Sequence, residues 1–80
     1  MPTEFENAMH QIAYELMEKH APEFLRALKC DLKQGVSAKE MERRLKRHDL
    51  QNKHITIQSA ILAVRYMHAN PATYKENPHE

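Results

Sequence analysis

The 80-residue chain has one glycine and one cysteine, and its charge is nearly balanced, with 12 basic and 11 acidic residues. A single glycine excludes a glycine-rich loop of the kind that cradles phosphate groups. The lone Cys30 cannot form an internal disulfide, which suits a reducing compartment. No apolar run approaches the roughly 20 residues that span a bilayer. We therefore expect a cytoplasmic protein that is not a general polycation.

Basic and acidic residues are unevenly distributed along the chain. Residues 39–54 carry six bases and three acids, a net charge of +3. Residues 1–38 hold four bases and six acids, a net charge of −2, and residues 55–80 are balanced. The positive charge is therefore predicted to lie on the third helix and the loop after it.

Apolar periodicity and capping signals predict an all-α fold, a compact bundle of four short helices within one domain over residues 1–70. Thr3 and Glu6 have the spacing of a capping box, and Thr56 is a suitable cap for the fourth helix. Residues 54–58 also alternate between polar and β-branched residues, as in a short strand. A lone strand would have no partner, so we predict the start of a helix here. Residues 71–80 are predicted to be a flexible tail. The predicted helices cover residues 4–19, 22–34, 38–47 or 38–48, and 57–69.

The only glycine marks the turn between the second and third helices. Gly35 suits the left-handed position just past a helix end, because it has no Cβ to clash. Ser37 and Glu40 then have the spacing of a capping box, and Val36 and Met41 that of a hydrophobic staple. These signals predict a helix-turn-helix corner at Gly35.

The Gly-Val-Ser run at 35–37, followed by Met41 and Arg43, resembles the turn and second helix of helix-turn-helix DNA-binding domains over residues 30–47. The resemblance implies that the second helix of the corner lies in the major groove of double-stranded DNA. The chain departs from the family at two positions. The family has a small residue at the helix crossing, where this chain has Asp31, and an apolar residue where this chain has Arg44. Any αα corner uses the same glycine and capping signals. The candidate nucleic-acid contacts are Lys39, Arg43, Arg44, Lys46, Arg47 and Lys53.

The first helix carries an apolar stripe wide enough to be a core face. If the bundle leaves part of this stripe uncovered, the same residues become a partner surface or a dimer interface. The candidate partner-binding residues are Phe5, Met9, Ile12, Leu16 and Met17.

Little in the chain points to chemistry. The six histidines fit no metal motif; Glu6 and His10 could hold one side of a metal, but no further ligand is indicated, and titrating surface histidines are the favoured interpretation. Cys30 lies near a helix C-terminus, where the dipole disfavours a thiolate. We expect no enzyme, no cofactor and no metal. Two functions stay open: a helical interaction module (adaptor, inhibitor or regulatory subunit) that binds a protein or a second copy, and a dimeric helix-turn-helix regulator that binds double-stranded DNA.

Overall fold

A computed structural model describes residues 3–47 and 55–75, and within these ranges it contains helices and no strand. This confirms the predicted all-α bundle of four helices. Ile55 and Thr56 lead into the fourth helix without forming a strand. The elements are α1 (Glu4–His20), α2 (Pro22–Lys33), α3 (Ala38–Leu45), α4 (Ile57–Ala69) and a 3-10 turn over Pro71–Thr73.

The starts of α1 and α4 are capped as predicted. The Thr3 hydroxyl accepts from the Glu6 amide at 3.1 Å, and the Glu6 carboxylate accepts from the Thr3 amide at 3.3 Å, which completes the capping box. The Thr56 hydroxyl accepts from the Ser59 amide at 3.0 Å. Each such cap stabilises its helix by about 1 kcal/mol.

The turn between α2 and α3 has the geometry that a glycine allows. Gly35 has φ +93°, in the left-handed region. Its amide donates to the Leu32 carbonyl at 3.0 Å, and the Val36 amide donates to the Asp31 carbonyl at 3.1 Å. These two bonds form a Schellman motif, which satisfies carbonyls that the end of α2 would otherwise leave free.

The predicted capping box at the start of α3 is only half formed. The Ser37 hydroxyl accepts from the Glu40 amide at 3.1 Å, as expected. The Glu40 carboxylate, however, accepts hydrogen bonds from Arg43 and Arg44. Two charged donors compete for this carboxylate against one backbone amide, and charge-assisted hydrogen bonds are the stronger ones.

The central helix of the bundle is α4. It packs along α1 most extensively and also contacts α3, α2 and the 3-10 turn. Because it is surrounded on several sides, its apolar residues go well beyond one narrow stripe. None of the described helices is long and apolar enough to cross a membrane. The core residues contributed by α4 and the segment before it are Ile55, Ala60, Ile61, Ala63, Val64 and Met67.

The wide apolar stripe predicted for α1 splits into a buried and an exposed part. Phe5 and Ile12 are 72% and 63% exposed, so the bundle leaves this part of the stripe uncovered. The buried face of α1 includes Tyr14. The centroid of its ring lies 4.9 Å from the centroid of the Tyr66 ring on α4. The residues of α1 that are buried are His10, Ala13, Tyr14 and Met17.

The first five residues of the predicted tail stay on the domain. After α4 the chain makes the 3-10 turn, in which the Thr73 hydroxyl donates to the Asn70 carbonyl at 2.8 Å. Tyr74 is half-buried and packs against the core. Residues 76–80 lie outside the described ranges.

Candidate interaction surfaces

Three large apolar side chains of α1 are exposed in line with one another. Phe5, Met9 and Ile12 are 72%, 42% and 63% exposed, and the half-buried Leu16 continues the row. We call these four residues the α1 seam. Their spacing of four, three and four residues is that of the a and d positions of a coiled coil. At 1.5 Å per residue the seam is about 16 Å long.

Met17 does not belong to the seam. Although it was grouped with the candidate partner-binding residues, its side chain is fully buried in the core of the described domain. In the helix it follows Leu16 by 100°, which is enough to turn it from the surface towards the interior. The candidate partner surface is therefore restricted to the seam.

The seam runs along an acidic helix. The four carboxylates of α1 are exposed, and Lys19 is its only lysine or arginine, so the helix has a net charge of −3 with its histidines neutral. One of these carboxylates, that of Glu15, accepts from the Gln11 side-chain amide at 3.1 Å. The seam therefore combines an apolar row with negative surroundings. The exposed carboxylates are Glu4, Glu6, Glu15 and Glu18.

Two of the predicted nucleic-acid contacts are engaged within α3 itself. Arg43 donates to both carboxylate oxygens of Glu40, at 2.9 Å and 2.7 Å, and Arg44 Nε donates to Oε2 at 3.0 Å. The two hydrogen bonds from Arg43 and, to a smaller extent, the one from Arg44 lower the pKa of Glu40 to about 2. One carboxylate thus offsets part of the charge of both guanidinium groups.

The rest of the predicted basic face is exposed but mixed in charge. Lys39, Lys46 and Arg47 are exposed and have no ion pair within the described ranges. A shallow concavity of about 540 Å³ on the outer side of α3 is lined by Lys39, Arg43 and Lys46, and also by Glu40 and Glu42. Lys53, the sixth predicted contact, lies outside the described residues.

The helix-turn-helix corner is open on the side where its two helices would cross. A cleft of about 200 Å³ lies between α2 and α3, and these helices are not a closely packed pair. Asp31 and Arg44, the two departures from the DNA-binding family, both line this cleft. A charged side chain at each position keeps its hydration by staying at an open edge. The remaining lining residues are Phe24, Ala27, Leu28, Met41 and Leu45.

A second basic surface was not predicted from the sequence. Arg26, Lys29 and Lys33 follow one another along one side of α2 and, together with Lys75, line a cleft of about 480 Å³. The net charge of residues 1–38 gave no sign of these bases, because that range as a whole contains more acids than bases. Their spacing of three and four residues was a signal for one face of a helix. Nothing in the sequence indicated that Lys75 lies beside them.

Polar groups that suggested a metal do not assemble into a site. His10 is buried and lines a groove of about 530 Å³ between α1 and α4 with Tyr66 and Asn70. Among the described residues no three histidine, cysteine or acidic side chains are placed to share a metal ion. Cys30 is exposed, and its Sγ accepts from the Gln34 side-chain amide at 3.4 Å.

Comparison with protein-family models, curated proteins and solved structures found no significant match to this chain. The chemistry of its surfaces is therefore the guide to its function.

Proposed function

We propose that this chain is a small, non-enzymatic interaction module that binds a helix of a protein partner along the α1 seam. The observation that supports this proposal is the exposure of Phe5, Met9 and Ile12. They are the large apolar side chains that the described residues leave exposed, in a domain that buries a full core elsewhere. An aligned apolar row of this kind marks a contact surface.

The spacing of the seam suits a helical partner. Residues at intervals of three and four give one straight row, and an amphipathic helix can lay its own apolar row along it. Fully burying a side chain such as Phe5 or Ile12 gains about 1.5–3 kcal/mol. Three or four such contacts give a gain of the same order as the roughly 4–15 kcal/mol that association costs, so the affinity also depends on the charges around the seam.

The charge around the seam favours a basic partner over a second copy. Two copies paired through this seam would bring six carboxylates, those of Glu4, Glu6 and Glu15 of each copy, and two lysines together, because Glu18 faces a cleft shared with α2. Like charges across an interface oppose association, whereas complementary charges favour it. A basic amphipathic helix of another protein fits best, which is the role of an adaptor, inhibitor or regulatory subunit.

Two synthetic amphipathic peptides test this proposal. Both carry leucine at their a and d positions, one with lysine and one with glutamate at the flanking e and g positions. We expect the lysine peptide to bind, and Ile12→Ser to weaken binding at least tenfold. Lys39→Ser, a change on an exposed residue of α3, is the matched control and should have little effect. Failure of both peptides to bind, together with a monomeric protein at high concentration in sedimentation equilibrium, would count against the seam as an interaction surface.

The second candidate function is DNA binding, as a dimer, through the corner at Gly35. The exposed Lys39, Lys46 and Arg47 favour it. The engagement of Arg43 and Arg44 by Glu40 and the open cleft at the helix crossing count against it. Fluorescence anisotropy of duplex DNA at low and physiological salt tests it, with Lys39→Ala and Arg43→Ala as the variants that must lose binding.

A further inference from the structure

We propose that the cleft between α2 and the 3-10 turn, lined by Arg26, Lys29, Lys33 and Lys75, binds a ligand that carries several phosphates in a row. We call it the α2 cleft. It is separate from the α1 seam and from the outer face of α3, so this proposal does not depend on the proposed function.

The bases of the α2 cleft come from two distant parts of the sequence. Arg26, Lys29 and Lys33 share one side of α2, whereas Lys75 follows the 3-10 turn. The packing of Tyr74 against the core holds the segment that contains Lys75 next to α2. The cleft is thus a product of tertiary structure, with basic groups on both of its walls.

One of these bases is held in place by an aromatic ring. The Nζ of Lys29 lies 5.2 Å from the centroid of the Tyr14 ring, and Lys29 is half-buried. A cation at this distance from a ring face is attracted by the ring electrons. Part of the cost of ordering a lysine side chain on ligand binding has therefore already been met in the free protein.

No described carboxylate lines the α2 cleft. Of the described acids, Glu18 shares a neighbouring cleft with Arg26 and Lys29, and Glu23 lies one turn before Arg26 on α2. Positive charges gathered in a concave surface repel one another and raise the local concentration of anions. A bound anion relieves this repulsion.

The length of the row determines the kind of anion. Arg26 and Lys33 are about 10 Å apart along the helix axis, so one small anion cannot contact both. A strand of linked phosphates can contact successive bases, and the planar guanidinium of Arg26 suits a phosphate group in particular. Such a ligand is either a single-stranded nucleic acid or free inorganic polyphosphate.

Fluorescence anisotropy of labelled oligothymidine at low salt tests this inference. We expect binding that weakens as salt is raised, because each phosphate contact releases counterions. The double variant Arg26→Gln/Lys75→Gln should bind at least tenfold more weakly. Lys39→Gln/Lys46→Gln removes the same charge from the outer face of α3 and should change binding less than twofold. Thermal melts establish that each variant is folded.

Competitors separate the two sources of phosphate. Displacement of oligothymidine by inorganic polyphosphate would show that a phosphate chain alone suffices. Binding that needs Arg26 and Lys75 but resists polyphosphate would assign the cleft to nucleic acid. The proposal is overturned if oligothymidine and polyphosphate both fail to bind, if polyglutamate competes as well as polyphosphate, or if the α3 variant loses as much affinity as the cleft variant.

Discussion

Arg65 of α4 donates two parallel hydrogen bonds to the carboxylate of Glu42 on α3, from Nη2 to Oε1 at 3.1 Å and from Nε to Oε2 at 3.2 Å. The pair joins the shortest α-helix to the central one across 23 positions of sequence. The Glu42 side chain is 21% exposed and that of Arg65 46% exposed, so the pair is partly shielded from water. Two-pronged arginine–carboxylate contacts are among the stronger surface ion pairs.

We predict that Glu42→Gln lowers the free energy of unfolding by about 1 kcal/mol, because it removes a forked and partly shielded pair. Urea unfolding of the wild type, both single variants and the Glu42→Gln/Arg65→Ala double variant measures the coupling between the two residues. Strictly additive losses would show that the pair contributes nothing beyond its separate side chains.

We predict that Gly35→Ala costs about 1 kcal/mol of stability, because an L-residue is strained at φ +93°. A Cβ at this position meets no atom within 4 Å, so the loss comes from the backbone rather than from a clash. Gly35→Asn should cost less, since asparagine tolerates the left-handed region better than alanine does. Chemical denaturation of the three proteins gives this order, and an alanine variant as stable as the wild type contradicts it.

The hydrogen bonds of Glu40 make part of the stability depend on pH. Its pKa of about 2 in the folded chain is below the ordinary 4.5, so its ionised form stabilises the folded state. This contribution is complete above pH 4.5 and is lost as the pH falls from 4.5 towards 2. It is small, because the group is near the solvent and screened.

Unfolding of the wild type and Glu40→Gln, each measured between pH 2 and pH 7, tests this dependence. The wild type should be the more stable above pH 4.5, and the difference should disappear near pH 2. A difference that stays constant over this range would show that the hydrogen bonds do not depend on the charge of the carboxylate.

The two apolar faces of α1 should respond very differently to substitution. Met17 is fully buried, and Met17→Ala should cost about 2–5 kcal/mol through a cavity in the core. Ile12 is 63% exposed, and Ile12→Ser should change stability by no more than about 0.5 kcal/mol. Thermal or urea melts of both variants decide this, and a large loss for Ile12→Ser would mean that the seam is part of the folded core.

The sequence was sufficient for the elements that depend on neighbouring residues. Thr3, Thr56 and Gly35 each act on backbone groups within one turn of themselves, so their effects can be read along the chain. The bounds of α4 follow from such a cap and from a continuous apolar pattern. Glu40 shows where this reasoning stops, because arginines later in α3 compete for the same carboxylate.

Contacts between helices determined the rest. Periodicity showed that α1 is apolar on a broad side, but the packing of α1 on α4 selected Tyr14 and Met17 for the core and left Phe5 and Ile12 outside. In the same way, the docking of the 3-10 turn brings Lys75 to α2. Local hydrogen bonds decide where a helix begins and ends. Which of its faces is buried, and which distant charges become neighbours, depends on the burial of surface shared by several elements, and that exists only in the assembled fold.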